Sequence, residues 1–139
     1  MNLRSWWLAG RMWLWMVAVG ARRRLPVPRL VAFVRPSTSG GASPHDSDLE
    51  RIVALAQTTT RFATWRPDTA CLVRSLVTYR YLCLAGLRPE LRIGLAREDR
   101  YDGHAWIEVD GRAVTDRPRD LARYTPVLAF ASNGRESRL

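Results

Sequence analysis

The sequence contains no lysine, and its basic charge rests entirely on 22 arginines. A formal net charge of +9 admits acidic partners, but arginine standing everywhere in place of lysine also fits a plain compositional bias. The arginines are scattered apart from Arg22 to Arg24. No interleaving of aromatic and basic side chains and no zinc spacing accompanies them, so a nucleic-acid partner is not expected. Cysteine and histidine are scarce, with two of each. Two cysteines exclude a disulfide framework. Cys71 and Cys83 fall in one helical pattern, where their backbones stand roughly 18 Å apart, so they should not bridge each other. A reducing, cytoplasmic setting is the simplest expectation. There is no Cys-x-x-Cys or His-x-x-x-His pair and no phosphate-cradling glycine loop with its lysine. Neither a metal nor another cofactor is therefore expected.

Long apolar runs are also missing. The Trp-rich stretch from Leu3 to Ala21 is broken by Arg11, and Trp6 to Val19 would cover only about 21 Å of a hydrocarbon core near 30 Å. A spanning helix is disfavoured. A secretory signal would have a basic start at Arg4 and small residues from Ala18 to Ala21, but its tryptophans and the following arginines are poor flanks. The remaining readings are a helix on a partner protein or at a membrane surface through residues 3–21, and a helix folded onto the domain's own core.

What is present suits one domain: 139 residues, of which 47% are hydrophobic. The composition divides the chain into an apolar N-terminal helical extension over 1–34, a Pro/Ser/Gly linker over 35–46, a domain over 47–131 and a polar, frayed tail over 132–139. Asp48 and Glu50 lead into Ile52, Val53, Leu55 and Ala56, the pattern of a helix with an acidic start. Asp68 or Thr69 can cap a second helix, which runs with apolar residues at helical spacing to Ala85 before Gly86 stops it. Leu91 to Leu95 and Ala105 to Val109 read as strands, and Asp110-Gly111 marks a hairpin. Helices followed by strands imply an α+β fold with helices packed on a small antiparallel sheet.

Cys71 lies near the start of its helix, where backbone N–H groups and the helix dipole favour a thiolate and supply a donor beside it. A small buried hydrophobe is the other reading of such a residue. Cys83, deeper in the helix, is read as core. His104 enters a strand just after Gly103. It can take a thiol proton and return it to a leaving amine. His45 lies in the linker and is read as solvated. A third group must orient the imidazole. Glu108 and Asp110 lie about 13 and 20 Å further along an extended strand, out of reach. Asp116 returns level with His104, but a two-residue turn would place it on the wrong face. A three-residue loop of Asp110, Gly111 and Arg112, pairing Val109 with Ala113, is therefore expected.

The blocks Cys71-Leu72-Val73-Arg74-Ser75-Leu76, Leu91-Arg92-Ile93-Gly94-Leu95 and His104-Ala105-Trp106-Ile107-Glu108-Val109-Asp110-Gly111 stand in an order that resembles the leader peptidase of lasso-peptide biosynthesis. The likeness covers roughly Pro67 to Asp116. It implies a transglutaminase-like, papain-like cysteine protease core that removes the leader from a ribosomally made precursor. Cys71 would be the nucleophile, His104 the base and Asp116 its orienter, with Trp106 and Leu72 at the substrate or oxyanion position. It also implies partners: the precursor leader peptide, a separate leader-recognition protein and an ATP-dependent lasso cyclase. An acyltransferase using the same thioester, and a non-catalytic scaffold presenting the precursor, are the competing readings.

Overall fold

A computed structural model describes residues 2–37, 46–63, 67–99 and 101–139. Asn2 caps the first helix, its Oδ1 accepting the Ser5 N–H at 2.9 Å, and α1 runs over Leu3–Ala21. A short connection leads to α2 (Val27–Val34), which Pro28 starts without breaking an internal hydrogen bond. Then come α3 (Asp46–Ala63) and α4 (Pro67–Leu84). The end of α4 is fixed by Gly86 at φ 86°, and the Leu87 amide reaches back to the Leu82 carbonyl at 3.0 Å. Glycine takes that left-handed turn without steric penalty.

The expected division between extension and domain does not hold in the packing. Met12, Met16 and Val19 of α1 and Leu30, Val31 and Val34 of α2 lie in the same buried cluster as Leu76, Val77 and Leu82 of α4. Arg80 fastens this corner, with its guanidinium 3.9 Å from the Trp15 ring centroid and donating to the Val34 carbonyl at 2.9 Å. The apolar stripe of α1 is thus covered by the protein's own helices, because α4 needs cover on the side away from the sheet. Such double coverage also explains why α4 buries Ser75, Thr78 and Tyr79 along with its aliphatic residues. Of the expected linker, residues 38–45, including His45, lie outside the described residues, as do Trp65 and Arg66.

The sheet is antiparallel in the order β3-β2-β1-β4-β5, with β1 (Pro89–Ala96), β2 (Gly103–Val109), β3 (Arg112–Ala113), β4 (Tyr124–Phe130) and β5 (Glu136–Arg138). A short helix, α5 (Pro118–Leu121), precedes β4. The segment from Ser132, expected as a frayed tail, instead turns at Gly134 (φ 84°) and pairs Ser137 with Ala129. Pro126 is accommodated where the β1/β4 register skips Val127, since a bulge does not need the missing proline N–H.

The β2/β3 hairpin corrects a second expectation. Val109 pairs with Arg112, so the turn is the two-residue Asp110-Gly111, with both residues at positive φ (53° and 76°). The extra residue that Asp116 needs is supplied after the turn. Val114 N–H bonds the Ile107 carbonyl at 2.9 Å, as a continued ladder requires. The Ile107 N–H, however, goes at 3.0 Å to the Thr115 hydroxyl rather than to the carbonyl of Val114. The chain bends there, and β3 is only two residues long.

Candidate active site

Because β3 stops at Ala113, the edge of β2 turned away from β1 has, among the described residues, no strand beside it from Gly103 to Trp106. The side chains of α4 dock there. Ser75 Oγ donates to the Ala105 carbonyl at 3.0 Å, and one helical turn earlier the Cys71 sulfur is hydrogen bonded to the Ala105 N–H and to the His104 ring. The i, i+4 spacing of the two residues makes this joint grip geometrically simple.

His104, Trp106 and Glu108 project from one sheet face, while Ala105, Ile107 and Val109 face the helices, by the alternation of a strand. The His104 ring stacks between Tyr124 of β4 (centroids 5.1 Å apart) and Trp106 (6.2 Å). Its Nε2 lies 3.0 Å from Asp116 Oδ1, which leaves Nδ1 as the nitrogen for the thiol. The structure therefore brings Cys71, His104 and Asp116 into one hydrogen-bonded chain.

Two residues not singled out by sequence reasoning hold the carboxylate. The Thr115 hydroxyl, having accepted the Ile107 N–H, donates to Asp116 Oδ2 at 2.9 Å. Arg74 Nη2 stands 3.7 Å from Asp116 Oδ1. A signal for Arg74 and Ser75 was present in their i+3 and i+4 spacing from Cys71, which places them on the same side of the helix.

Electrostatics follow from these contacts. Burial pushes the Cys71 thiol up, but the hydrogen bonds from His104 and the Ala105 amide, with the charges of His104 and Arg74, outweigh it and hold the pKa below the ordinary thiol value. The hydrogen bond to Asp116 and then that to Cys71 raise His104 to about 9, against the opposing effect of burial. For Asp116, burial acts upward, yet the hydrogen bonds from His104 and Thr115 leave its carboxyl below the usual range. These directions favour a thiolate and imidazolium pair beside an ionised carboxylate. Cys83 differs, since burial raises its thiol to about 11.

The two residues assigned to substrate or oxyanion contact do not carry their donors to the sulfur. The Trp106 indole N–H is given to Glu108 Oε2 at 2.9 Å, and its side chain is buried. Leu72 packs against the core. The helix begins at Pro67, well before Cys71, so the amides of Cys71 and Leu72 lie inside the α-helical ladder rather than in its unpaired first turn. The donor on the sulfur is the Ala105 amide instead. Among the described residues, no group of three or more His, Cys, Asp or Glu side chains is gathered as a metal set.

On the outer sheet face, a groove of about 590 Å³ begins at Trp106 and Tyr124, beside His104, and is bounded by Glu108, Arg112, Pro118 and Leu121. Its walls are formed mainly by rings and aliphatic carbon.

Searches of curated proteins and of solved structures returned no significant match. A scan of protein-family models matched residues 15–129 to the transglutaminase-like superfamily, which commonly includes cysteine peptidases. The matched span runs from within α1 almost to the end of β4 and contains the Cys71, His104 and Asp116 chain, and on this match over most of its length the protein belongs to the transglutaminase-like superfamily.

Proposed function

We propose that the protein is a cysteine peptidase that removes the leader peptide from a ribosomally synthesised lasso-peptide precursor. The observation that carries the reading is the position of His104, hydrogen bonded to Asp116 on one side and to Cys71 on the other. The Cys71 thiolate, held by the Ala105 amide and His104, attacks the carbonyl carbon of the scissile bond. The His104 imidazolium gives its proton to the leaving amine, so the C–N bond breaks and a thioester remains on Cys71. His104, now neutral, takes a proton from water, whose oxygen displaces the sulfur as the leader's carboxylic acid. Asp116 fixes the imidazole and stabilises its charged form.

Leader removal, rather than generic proteolysis, is supported by the three sequence blocks around Cys71, Ile93 and His104. The groove between Trp106 and Tyr124 suits an extended segment of the precursor. A separate leader-recognition protein would deliver the precursor, and an ATP-dependent cyclase would use the freed amino terminus. A thiolate nucleophile suits a reducing compartment such as the cytoplasm.

The test is mass spectrometry of a lasso precursor incubated with the protein and its recognition partner. One defined cut is expected, lost in Cys71→Ala. Transfer of the acyl group to an added amine in place of hydrolysis would assign the acyltransferase chemistry. An unchanged cut by Cys71→Ala would remove the residue from the mechanism.

A further inference from the structure

The core accounts for only one side of α1. Met12, Met16 and Val19 are buried, yet the opposite side presents Leu3, Trp7 and Leu14, with Trp7 70% and Leu14 61% exposed. At about 100° per residue, Trp6 and Trp13 fall on one flank of this strip and Arg4 and Arg11 on the other. All four flanking residues are exposed. Leu3, Arg4, Trp6 and Trp7 surround a shallow apolar depression. The patch continues past α1, because Trp13 Nε1 donates to the Phe62 carbonyl at 3.4 Å and the Phe62 ring is itself 74% exposed. A helix that is apolar on two opposite faces belongs in an interior, and here one of those faces meets solvent.

Charge identifies the occupant. Seven arginines and no aspartate or glutamate precede Asp46. A second copy of the chain would offer Arg4 and Arg11 no carboxylate on α1 to pair with. No helix among the described residues is long and apolar enough to cross a membrane. Tryptophan favours the headgroup boundary of a bilayer, and arginine beside it is drawn to anionic lipid. We infer that α1 lays its Leu3, Trp7 and Leu14 face into the surface of an anionic membrane, with Arg4 and Arg11 at the headgroups. The attachment is interfacial and reversible, because its apolar strip is a single helix face.

The experiment uses the full chain with vesicles of phosphatidylcholine, alone or mixed with phosphatidylglycerol. Sedimentation with the mixed vesicles is expected, with a blue shift of tryptophan emission and weaker binding at high salt. Arg4→Gln with Arg11→Gln should lower affinity by about fivefold per charge. Trp7→Ser with Leu14→Ser should abolish sedimentation while the circular dichroism spectrum stays unchanged. A chain that remains in the supernatant with anionic vesicles overturns the inference. So does sedimentation that neither pair of substitutions alters. If the same face dissolves a self-association or an acidic-protein complex on substitution while vesicles stay unbound, the surface is a protein interface instead.

Discussion

Ser75 Oγ donates to the Ala105 carbonyl at 3.0 Å on the stretch of β2 that β3 leaves uncovered, and Ser75 itself is fully buried. The same peptide edge gives its N–H to the Cys71 sulfur. One serine therefore sets how the helix of Cys71 meets the strand of His104. Ser75→Ala leaves a buried carbonyl without its donor and should cost about 1–3 kcal/mol in urea unfolding. Its effect on the site is read separately, as a rise in the pH at which Cys71 is alkylated. A stability loss with no change in that profile would reduce Ser75 to a packing role.

Asp116 and His104 define the pH dependence. The bond to Asp116 is the largest cause of the His104 rise to about 9, so the ion pair with Cys71 should dissociate as pH climbs through that region. Thiolate and imidazole titrate together, and the alkaline limb of the rate profile belongs to the pair. In Asp116→Asn this limb should move toward the ordinary histidine range, and turnover should fall about 10²- to 10⁴-fold. For stability the sign is that of a raised pKa. The His104 contribution is complete below its unfolded value, near 6.5, and is lost as pH rises through about 9. Thermal unfolding across that interval should show the loss in the parent and a smaller one in Asp116→Asn, where only Cys71 still raises the histidine.

The two thiols should separate chemically. Cys71 is partly exposed with a lowered pKa, whereas Cys83 is buried with its thiol raised to about 11. Iodoacetamide at neutral pH should modify Cys71 at least about tenfold faster, since the thiolate is the reactive form. Peptide mapping after partial labelling gives the ratio directly. Equal rates would mean that the His104 and Ala105 hydrogen bonds do not activate the sulfur.

Gly94 is the partner of His104 across the β1/β2 ladder. A Cβ there would stand 3.0 Å from two Trp106 ring carbons and 3.1 Å from the Thr125 carbonyl oxygen. Gly94→Ala must displace an indole whose N–H is tied to Glu108, so a loss of about 1–3 kcal/mol is expected from overpacking. Trp106 stacks beside His104. Activity should therefore fall by more than the unfolded fraction explains, as measured under conditions where circular dichroism shows the variant folded.

The sequence was readable where one periodicity governed and ambiguous where two patterns competed. Helical spacing placed Cys71 on α4, and strand alternation put His104 with Glu108 on one face. The Asp116 route is not legible in the sequence, because strand geometry counts backbone residues, while here a side chain, the Thr115 hydroxyl, replaces a carbonyl in the ladder. Pro126 disguised β4, since proline argues against a central strand unless a bulge receives it. The exposed residues Glu136 to Arg138 carry no burial pattern that would announce β5. For α1, residues apolar on both sides gave no means of telling the inward face from the outward one.

Met16 decides how α1 belongs to the protein. It is 1% exposed, and the Thr60 hydroxyl of α3 approaches its sulfur at 3.7 Å. Were α1 a removable extension, Met16→Ala would leave the unfolding midpoint unchanged and deletion of residues 1–21 would spare the hydrogen-bonded chain of Cys71, His104 and Asp116. Burial in the shared cluster with α4 requires the opposite. Met16→Ala should cost about 2–5 kcal/mol, the range for truncating a buried methionine. Deletion of residues 1–21 should then expose the α3 and α4 surfaces and abolish cooperative unfolding, not merely the contact of Trp7 and Leu14 with an outside surface. Trp7→Ser provides the contrast on the same helix, with an expected change within about 0.5 kcal/mol because the side chain is exposed. Chemical denaturation of the two variants side by side separates a helix that builds the core from one that only rests on it.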